Sequence, residues 1–161
     1  MRSVCEARLP DHRKGATLLV CVGNICRSPM AAALLSHRLK RKQLDPPVES
    51  AGIAALLGEP VDPLALTLLM ERQLDLSAHR ARQLTPELVT SFELVLVMDA
   101  RQQRAVEKMS PAARGRVHRL GRFGNFDIPD PYGKPRAAFE HSLALIERGI
   151  DDYVRAFWTA K

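Results

Sequence analysis

Residues 18–29 read LLVCVGNICRSP, and within them an apolar strand pattern changes into a polar loop and then into a helix. Residues 17–22 are largely apolar and β-branched, as in a buried parallel strand. Residues 29–39 repeat apolar side chains at helical spacing. Ser28 is the predicted N-cap, and Pro29 suits the first helical position because its missing N–H would have no partner there. The sequence therefore predicts a strand, a short loop and a helix whose N-terminus closes the loop.

The loop has the composition of an anion site that faces a cysteine. Free backbone N–H groups at the helix N-terminus, with Gly23 allowing unusual torsions, favour an anion and also a thiolate. Cys21 ends the strand, and the planar guanidinium of Arg27 suits a phosphate-like dianion held above the sulfur. Cysteine is often a small buried hydrophobe, but here the glycine, the serine and the proline accompany it. We therefore interpret Cys21 as a nucleophile.

A second motif, DIPDPYG over residues 127–133, offers a proton donor. A nucleophilic cysteine that displaces an oxygen leaving group needs a carboxylic acid to protonate that oxygen. Two prolines stiffen the chain around Asp130, and Asp127 is a competing carboxylate nearby. An ordinary Asx-Pro turn is the alternative interpretation.

Both motifs resemble those of the low molecular weight protein tyrosine phosphatase family, whose signature loop reads C-x-G-N-x-C-R-S-P and whose C-terminal region carries Asp-Pro-Tyr. The resemblance implies that Cys21 is the nucleophile, that Arg27 binds the phosphoryl oxygens, and that Asp130 rather than Asp127 is the general acid. It also implies that Tyr132 stacks on the phosphotyrosine ring at the cleft entrance. Gly133 stands where many members have a second tyrosine.

The same resemblance implies a phosphate-binding loop and a supporting network. The loop residues around the phosphate are Val22, Gly23, Asn24, Ile25, Cys26 and Ser28. Asn24 and Ser28 are implied to hold the loop and to steady the sulfur. Ser50 and His79 are implied to complete a hydrogen-bond network behind it.

The cysteines bear on redox chemistry and compartment. Three cysteines without a disulfide-scaffold pattern predict a reducing, cytoplasmic environment. Cys26 has two interpretations, a reversible disulfide that protects Cys21 or a side chain that fills space under the loop. The spacing of His and Cys residues predicts no metal site, and we expect no cofactor.

The rest of the chain alternates strands and helices. Further strands are predicted at 48–50, 92–98 and 116–120, and helices begin after Asp62, Thr85 and Asp99. The last helix spans 137–158, and its apolar stripe, predicted to be core, comprises Phe139, Leu143, Ile146, Ile150, Tyr153 and Phe157.

This alternation predicts an α/β fold with a parallel sheet covered on both faces and with ligands at the carboxyl ends of the strands. The resemblance implies the flavodoxin-like three-layer α/β/α fold with a central four-stranded parallel sheet. At 161 residues the chain can bury one substantial core. We expect an N-terminal leader over residues 1–15, for which disorder is one interpretation, and one phosphatase domain over residues 16–161.

The net charge of +6 raises the question of nucleic-acid binding. The dense basic run comprises Arg38, Lys40, Arg41 and Lys42, and it lies at a helix end, where cations are expected. Aromatic residues make up 5% of the chain, and none interleaves with this run as a single-strand platform requires. We expect no nucleic-acid partner, and an attraction for anionic phosphopeptides instead. No stretch approaches the roughly 20 apolar residues of a membrane span, so we expect no membrane insertion.

The expected activity is hydrolysis of phosphotyrosine through a phosphocysteine intermediate, by a monomer. A non-catalytic phosphotyrosine-binding module is the alternative from another class, although it would have no use for Cys21 or Asp130. A thiol-dependent arsenate reductase would need further cysteines after His79, and residues 80–90 contain none. The motifs look most like those of bacterial members, which often act on tyrosine autokinases that control capsule or exopolysaccharide export, so such a kinase is the expected partner.

Overall fold

The computed structural model describes residues 14–158. The sheet has four strands, β1 (Thr17–Cys21), β2 (Val48–Gly52), β3 (Leu94–Val97) and β4 (Val117–Arg119), in the order β2-β1-β3-β4 with every pair parallel. The predicted four-stranded parallel sheet is confirmed. The expected leader lies outside the described residues except for its last two positions, 14 and 15.

The residues of β1 alternate between two cores. Leu19 and Cys21 belong to one buried cluster, whereas Leu18 and Val20 belong to another on the opposite face of the sheet. All five residues of the strand are buried. A strand covered on both faces reads as a continuous apolar run, which is the pattern that the sequence shows.

Five helices cover the two faces: α1 (Arg27–Arg41), α2 (Pro63–Met70), α3 (Pro86–Thr90), α4 (Ala100–Met109) and α5 (Arg136–Phe157). The cluster on one face takes its side chains from α1, α2 and α5, and the cluster on the other face from α3 and α4. Short 3₁₀ turns follow α4 and β4. The architecture is therefore the three-layer α/β/α fold that the resemblance implied. No helix within residues 14–158 is long and apolar enough to span a bilayer.

Three of the predicted helix starts are confirmed by their caps. The side chains of Asp62, Thr85 and Asp99 each accept a hydrogen bond from a backbone N–H of the first turn, at 2.9 to 3.1 Å. In α2 and α3 a proline occupies the first turn, where no N–H is needed.

The predicted N-cap role of Ser28 is wrong. Helix α1 begins two residues earlier than predicted, at Arg27, and its N-cap residue, Cys26, makes no side-chain cap. The Ser28 hydroxyl is engaged by the Cys21 sulfur and the Asn24 amide instead. The polar side chain at this helix start therefore serves the loop and not the helix.

Two apolar residues lie outside the positions predicted for them. Val22 falls beyond β1 and is 43% exposed, because the chain leaves the sheet at Cys21. Phe157, placed in the core by its spacing, is 53% exposed at the last residue of α5. Its ring stacks on Tyr153 with centroids 5.5 Å apart, so it covers a core residue and is not covered itself.

The packing of α5 on the sheet depends on Gly149. A Cβ at this position would lie 2.7 Å from the Leu120 carbonyl oxygen and 2.9 Å from the Leu120 Cγ. Helix propensity favours alanine over glycine, so the steric cost and the propensity have opposite signs here.

We predict that Gly149→Ala lowers the free energy of unfolding by about 1–3 kcal/mol, because the added methyl group forces the helix away from the sheet. Urea denaturation followed by circular dichroism measures the change. The matched control is Ala144→Gly at an exposed position of the same helix, which should cost about 1 kcal/mol through propensity alone. A Gly149→Ala protein that is more stable than wild type would contradict the packing argument.

Candidate active site

The loop between β1 and α1 is held by hydrogen bonds to the segment that follows β2. The N–H groups of Ile53, Ala54 and Leu56 donate to the carbonyls of Cys21, Val22 and Gly23 at 2.9 to 3.1 Å. The approach requires the glycine that ends β2, since a Cβ on Gly52 would lie 2.5 Å from the Val22 oxygen. These bonds fix the positions of three consecutive carbonyls of the loop.

The unusual torsion predicted at Gly23 lies at Asn24 instead. Asn24 has φ of 58°, in the left-handed region, whereas Gly23 is not among the residues with positive φ. Asparagine tolerates this region better than most residues, since its short polar side chain can bond locally. The turn brings the Asn24 N–H to 3.3 Å from the Cys21 sulfur.

The Cys21 sulfur is 2% exposed and lies among donors. Asn24 Nδ2 donates to the Ser28 hydroxyl at 2.8 Å, which leaves the hydroxyl hydrogen free to point at the sulfur, 2.9 Å away. With the Asn24 N–H, the sulfur then accepts two hydrogen bonds. Two hydrogen-bond donors therefore face the atom that the sequence predicts to be the nucleophile.

Asn24 is fixed at every polar atom of its side chain and at its carbonyl. Its side-chain Nδ2 also donates to Ser50 Oγ at 3.0 Å, and its Oδ1 accepts from the backbone N–H of Arg82 at 3.0 Å. His79 Nε2 donates to the Asn24 carbonyl at 2.8 Å. Ser50 and His79 therefore both bond to Asn24 of the loop.

Arg82 belongs to this network and was not predicted. Besides its N–H bond to Asn24, its Nε donates to the Ser50 carbonyl at 2.9 Å. The available signal in the sequence was its position three residues after His79. One of its two bonds comes from the backbone N–H, however, and the residue type does not predict such a bond.

Arg27 is buried and faces two carboxylates and a carbonyl. Its Nη1 donates to the Ile128 carbonyl at 2.9 Å and lies 4.0 Å from Asp99, and its Nη2 lies 3.6 Å from Asp130 Oδ2. The sequence predicted Asp99 only as a helix cap. One of its oxygens does cap α4, and the other faces the guanidinium.

The two candidate acids are separated by their partners. Asp127 pairs with Arg119 at 2.8 Å and does not line the cleft. Asp130 lines the cleft beside Cys21 and Arg27, and its Oδ1 accepts from the Tyr132 N–H at 3.1 Å. The arrangement favours Asp130 as the group that reaches a substrate.

The cleft has a volume of about 180 Å³. Its lining combines the loop with residues from two other segments: Cys21, Val22, Gly23, Ile25, Cys26, Arg27, Ala54, Leu56, Asp130 and Tyr132. Tyr132 is exposed and lines the cleft, and Gly133 beside it has φ of 73°. Ala54 and Leu56 were not predicted, because they lie in an irregular segment without a motif.

Cys26 is a buried thiol beneath the loop. Burial raises the pKa of Cys26 well above its ordinary value, and the nearby Asp62 carboxylate adds to the rise. Cys21 and Cys26 are both free thiols here, and a protective disulfide between them stays a prediction. Among residues 14–158, no three His, Cys, Asp or Glu side chains are placed to share a metal ion.

The half-buried His79 makes the folding stability depend on pH. Burial lowers the pKa of His79 below 6.5, and the neighbouring Arg80 and Arg82 lower it further, against the opposite effect of the bond to Asn24. The unfolded chain therefore binds this proton more readily than the folded one, and folding stability is lost as the pH falls below about 6.5.

We predict that the free energy of unfolding falls more between about pH 7.5 and pH 5.5 in wild type than in His79→Gln, measured by urea denaturation. His118 also has a pKa lowered by burial, but it is present in both proteins and cancels in the comparison. Equal pH dependence in the two proteins would show that His79 titrates alike in the folded and unfolded chains.

Comparison with known proteins agrees with this geometry. The family model for the low molecular weight phosphotyrosine protein phosphatases matches residues 16–159. The chain is 49% identical over 137 residues to the "probable low molecular weight protein-tyrosine-phosphatase EpsP" of Ralstonia nicotianae, covering 85% of this chain and 92% of that protein.

Solved structures are similar as well. Wzb of Vibrio vulnificus in complex with benzylphosphonate is 36% identical, with a TM-score of 0.83 over 89% of this chain and 99% of that one. The YwlE arginine phosphatase, solved as a variant with a phosphorylated active-site serine, is 28% identical, with a TM-score of 0.84 over 91% of this chain and 97% of that one. The chain therefore belongs to the low molecular weight phosphotyrosine protein phosphatase family.

Proposed function

We propose that this protein hydrolyses phosphotyrosine in proteins through a phosphocysteine intermediate. The observation that carries the proposal is the convergence of three groups on one cleft: the sulfur of Cys21 between two donors, the guanidinium of Arg27, and the carboxyl group of Asp130. A nucleophile, an anion-binding cation and a proton donor are what displacement at phosphorus requires. A non-catalytic binding module would need only Arg27 and the loop.

In the first step the Cys21 thiolate attacks phosphorus in line with the bond to the tyrosine oxygen. The S–P bond forms as the P–O bond breaks, and Asp130 gives its proton to the departing phenolate oxygen. Arg27 and the loop N–H groups stabilise the equatorial oxygens of the transition state. The YwlE variant carries its phosphoryl group on an active-site serine, which supports a covalent intermediate for this fold.

In the second step Asp130, now a carboxylate, takes a proton from water while the water oxygen attacks phosphorus. The S–P bond breaks, inorganic phosphate forms, and the electron pair returns to the Cys21 sulfur. The Ser28 hydroxyl, 2.9 Å from that sulfur, is placed to stabilise the thiolate as it leaves. Neither step requires a metal or an organic cofactor.

The walls of the cleft favour an aryl substrate. Val22, Ile25, Ala54 and Leu56 are apolar, and Tyr132 offers a face for ring stacking. A phosphorylated guanidinium would need hydrogen-bond acceptors around it, and Asp130 is the one carboxylate among the described residues of the lining. Benzylphosphonate, the ligand in the Wzb structure, is also an aryl compound. These features support phosphotyrosine over phosphoarginine.

We also propose a protein partner, a domain boundary and a cellular compartment. Bacterial members that share these motifs often act on tyrosine autokinases of capsule or exopolysaccharide export, and we extend that partner to this chain. Residues 16–161 form the proposed phosphatase domain, acting as a monomer, with a leader over residues 1–15. We also propose a reducing, cytoplasmic location, because the three cysteines of the chain show no disulfide-scaffold pattern.

The test of the activity is steady-state hydrolysis of an aryl phosphate with EDTA present. We predict that Cys21→Ser reduces turnover to background and that Asp130→Ala lowers kcat/KM by about 10²–10⁴-fold, since a general acid contributes that much. The control is Asp127→Ala, which removes a carboxylate three residues away that is paired with Arg119. Its activity should stay near that of wild type.

Unchanged turnover in Cys21→Ser would remove the nucleophile from the mechanism. A folded wild type that binds phosphotyrosine peptides without turnover would support the binding module instead.

A second prediction concerns substrate class. Peptides of one sequence carrying phosphotyrosine, phosphoserine or phosphoarginine should differ in release of inorganic phosphate, with phosphotyrosine preferred by about tenfold or more in kcat/KM, because the apolar walls and Tyr132 contact only an aryl ring closely. Leu56→Ala should narrow the preference without abolishing turnover. Preferred hydrolysis of the phosphoarginine peptide would overturn the substrate assignment.

A further inference from the structure

We propose that Ser142, a buried serine of helix α5, is a positioning residue for the general acid. Ser142 does not line the cleft, and it acts through the carbonyl of Pro129, the residue before Asp130. The inference rests on the proposed function, since it concerns the proton that Asp130 supplies.

The Ser142 side chain is bonded to residues 127–133, the segment that carries Asp130, which we call the acid loop. The residue is 0% exposed, and its Oγ donates to the Pro129 carbonyl at 2.7 Å. A serine within a helix commonly bonds the carbonyl four residues earlier in the same helix. Here the hydroxyl crosses to another segment. Burying a hydroxyl without a hydrogen-bond partner costs free energy. The packing that buries Ser142 therefore favours the conformation that makes this bond.

Few backbone N–H groups of the acid loop can bond to the rest of the protein. Pro129 and Pro131 have no N–H, so neither can donate a backbone hydrogen bond. Besides the Ile128 N–H, which donates to the Met98 carbonyl at 2.9 Å, the loop is held by two of its carbonyls: Ile128 O accepts from Arg27 at 2.9 Å, and Pro129 O accepts from Ser142. The bond to Ile128 O comes from the phosphate-binding residue, and the bond to Pro129 O from the scaffold.

The Ser142 bond bears directly on Asp130. The carbonyl of Pro129 and the N and Cα atoms of Asp130 belong to one planar peptide unit. Fixing the oxygen of that unit limits its rotation, and this sets the direction in which the Asp130 side chain leaves the backbone. The Tyr132 N–H then holds one carboxyl oxygen at 3.1 Å. Ser142 therefore aims the acid, while Arg27 retains its own contact with the loop.

Phosphoryl binding and proton donation should separate in a Ser142 variant. Loss of the hydroxyl leaves the Arg27 contacts and the loop around Cys21 in place, so binding of the dianion should persist. Pro129 is exposed as a residue, so water can reach the loop and replace the lost partner. The defect should be confined to the protonation of the leaving group.

The experiment measures kcat/KM for a series of aryl phosphates whose leaving phenols have pKa values from about 7 to about 10, the latter close to that of tyrosine. A good leaving group needs little protonation, and a poor one needs a well-placed acid. For Ser142→Ala we expect a change of less than about twofold at the low end and a loss of about tenfold at the high end. Asp130→Ala serves as the reference and should show the same steepening on a larger scale.

Two further measurements separate positioning from general damage. Inhibition by inorganic phosphate should be unchanged in Ser142→Ala. The matched control is Ser110→Ala, which removes a hydroxyl from another buried position, at the end of α4, and should leave the leaving-group dependence as in wild type. If Ser142→Ala does not fold, Ser142→Cys takes its place. Cysteine has nearly the same volume as serine and is a weaker donor, so the loss of kcat/KM should still grow with the pKa of the leaving phenol, to a smaller extent than expected for alanine.

A uniform loss of kcat/KM across the series, or an unchanged dependence, would overturn the role of Ser142 while leaving the phosphatase assignment intact. A wild type that hydrolyses none of the aryl phosphates would overturn the proposed function, and with it the reaction in which Ser142 takes part.

Discussion

The left-handed turn at Asn24 is the constraint on which the site depends. A backbone that turns at φ of 58° is unfavourable for most residues, and it persists here because Ser50, His79 and Arg82 occupy the polar atoms of Asn24. The turn in return points an N–H at the Cys21 sulfur. The reactive group is thus prepared by strands and loops distant in sequence, and the sheet supplies the rigidity that holds them together.

Arg27 and the dense basic run lie at opposite ends of α1. Among the described residues that line the cleft, Arg27 is the one cation. Arg41 and Lys42 lie at the far end of α1, a helix of 15 residues, and so about 20 Å from the loop at 1.5 Å per residue. That separation exceeds the screening length of about 8 Å at physiological ionic strength. Arg41 and Lys42 therefore act on diffusional approach more than on contacts inside the cleft.

Features formed between neighbours in the sequence could be predicted, and features formed between segments far apart in the sequence could not. The capping side chains Asp62, Thr85 and Asp99 could be predicted because a cap and its helix are adjacent in the chain. Ser28 has the same residue type in a similar place, and the prediction was wrong because its hydroxyl is taken by the Cys21 sulfur and the Asn24 amide.

The contributions of Arg82, Leu56 and the second oxygen of Asp99 could not be predicted, since each depends on a contact between segments far apart in sequence. Phe157 shows the limit of periodicity. Its spacing places it on the apolar stripe of α5, but spacing does not say where the neighbouring layer ends.

The contact between Arg27 and the Ile128 carbonyl has a consequence for how the enzyme can be altered. In the proposed mechanism this guanidinium binds the anion, and in the structure it also tethers the acid loop, so a substitution there would disturb two steps of the proposed reaction at once. Lysine, with a single charged nitrogen, has no planar fork to share between two such sites. Affinity for the phosphoryl group and the timing of proton transfer are therefore coupled through Arg27. A protein engineer who wants to change one without the other has to work from the scaffold side of the loop.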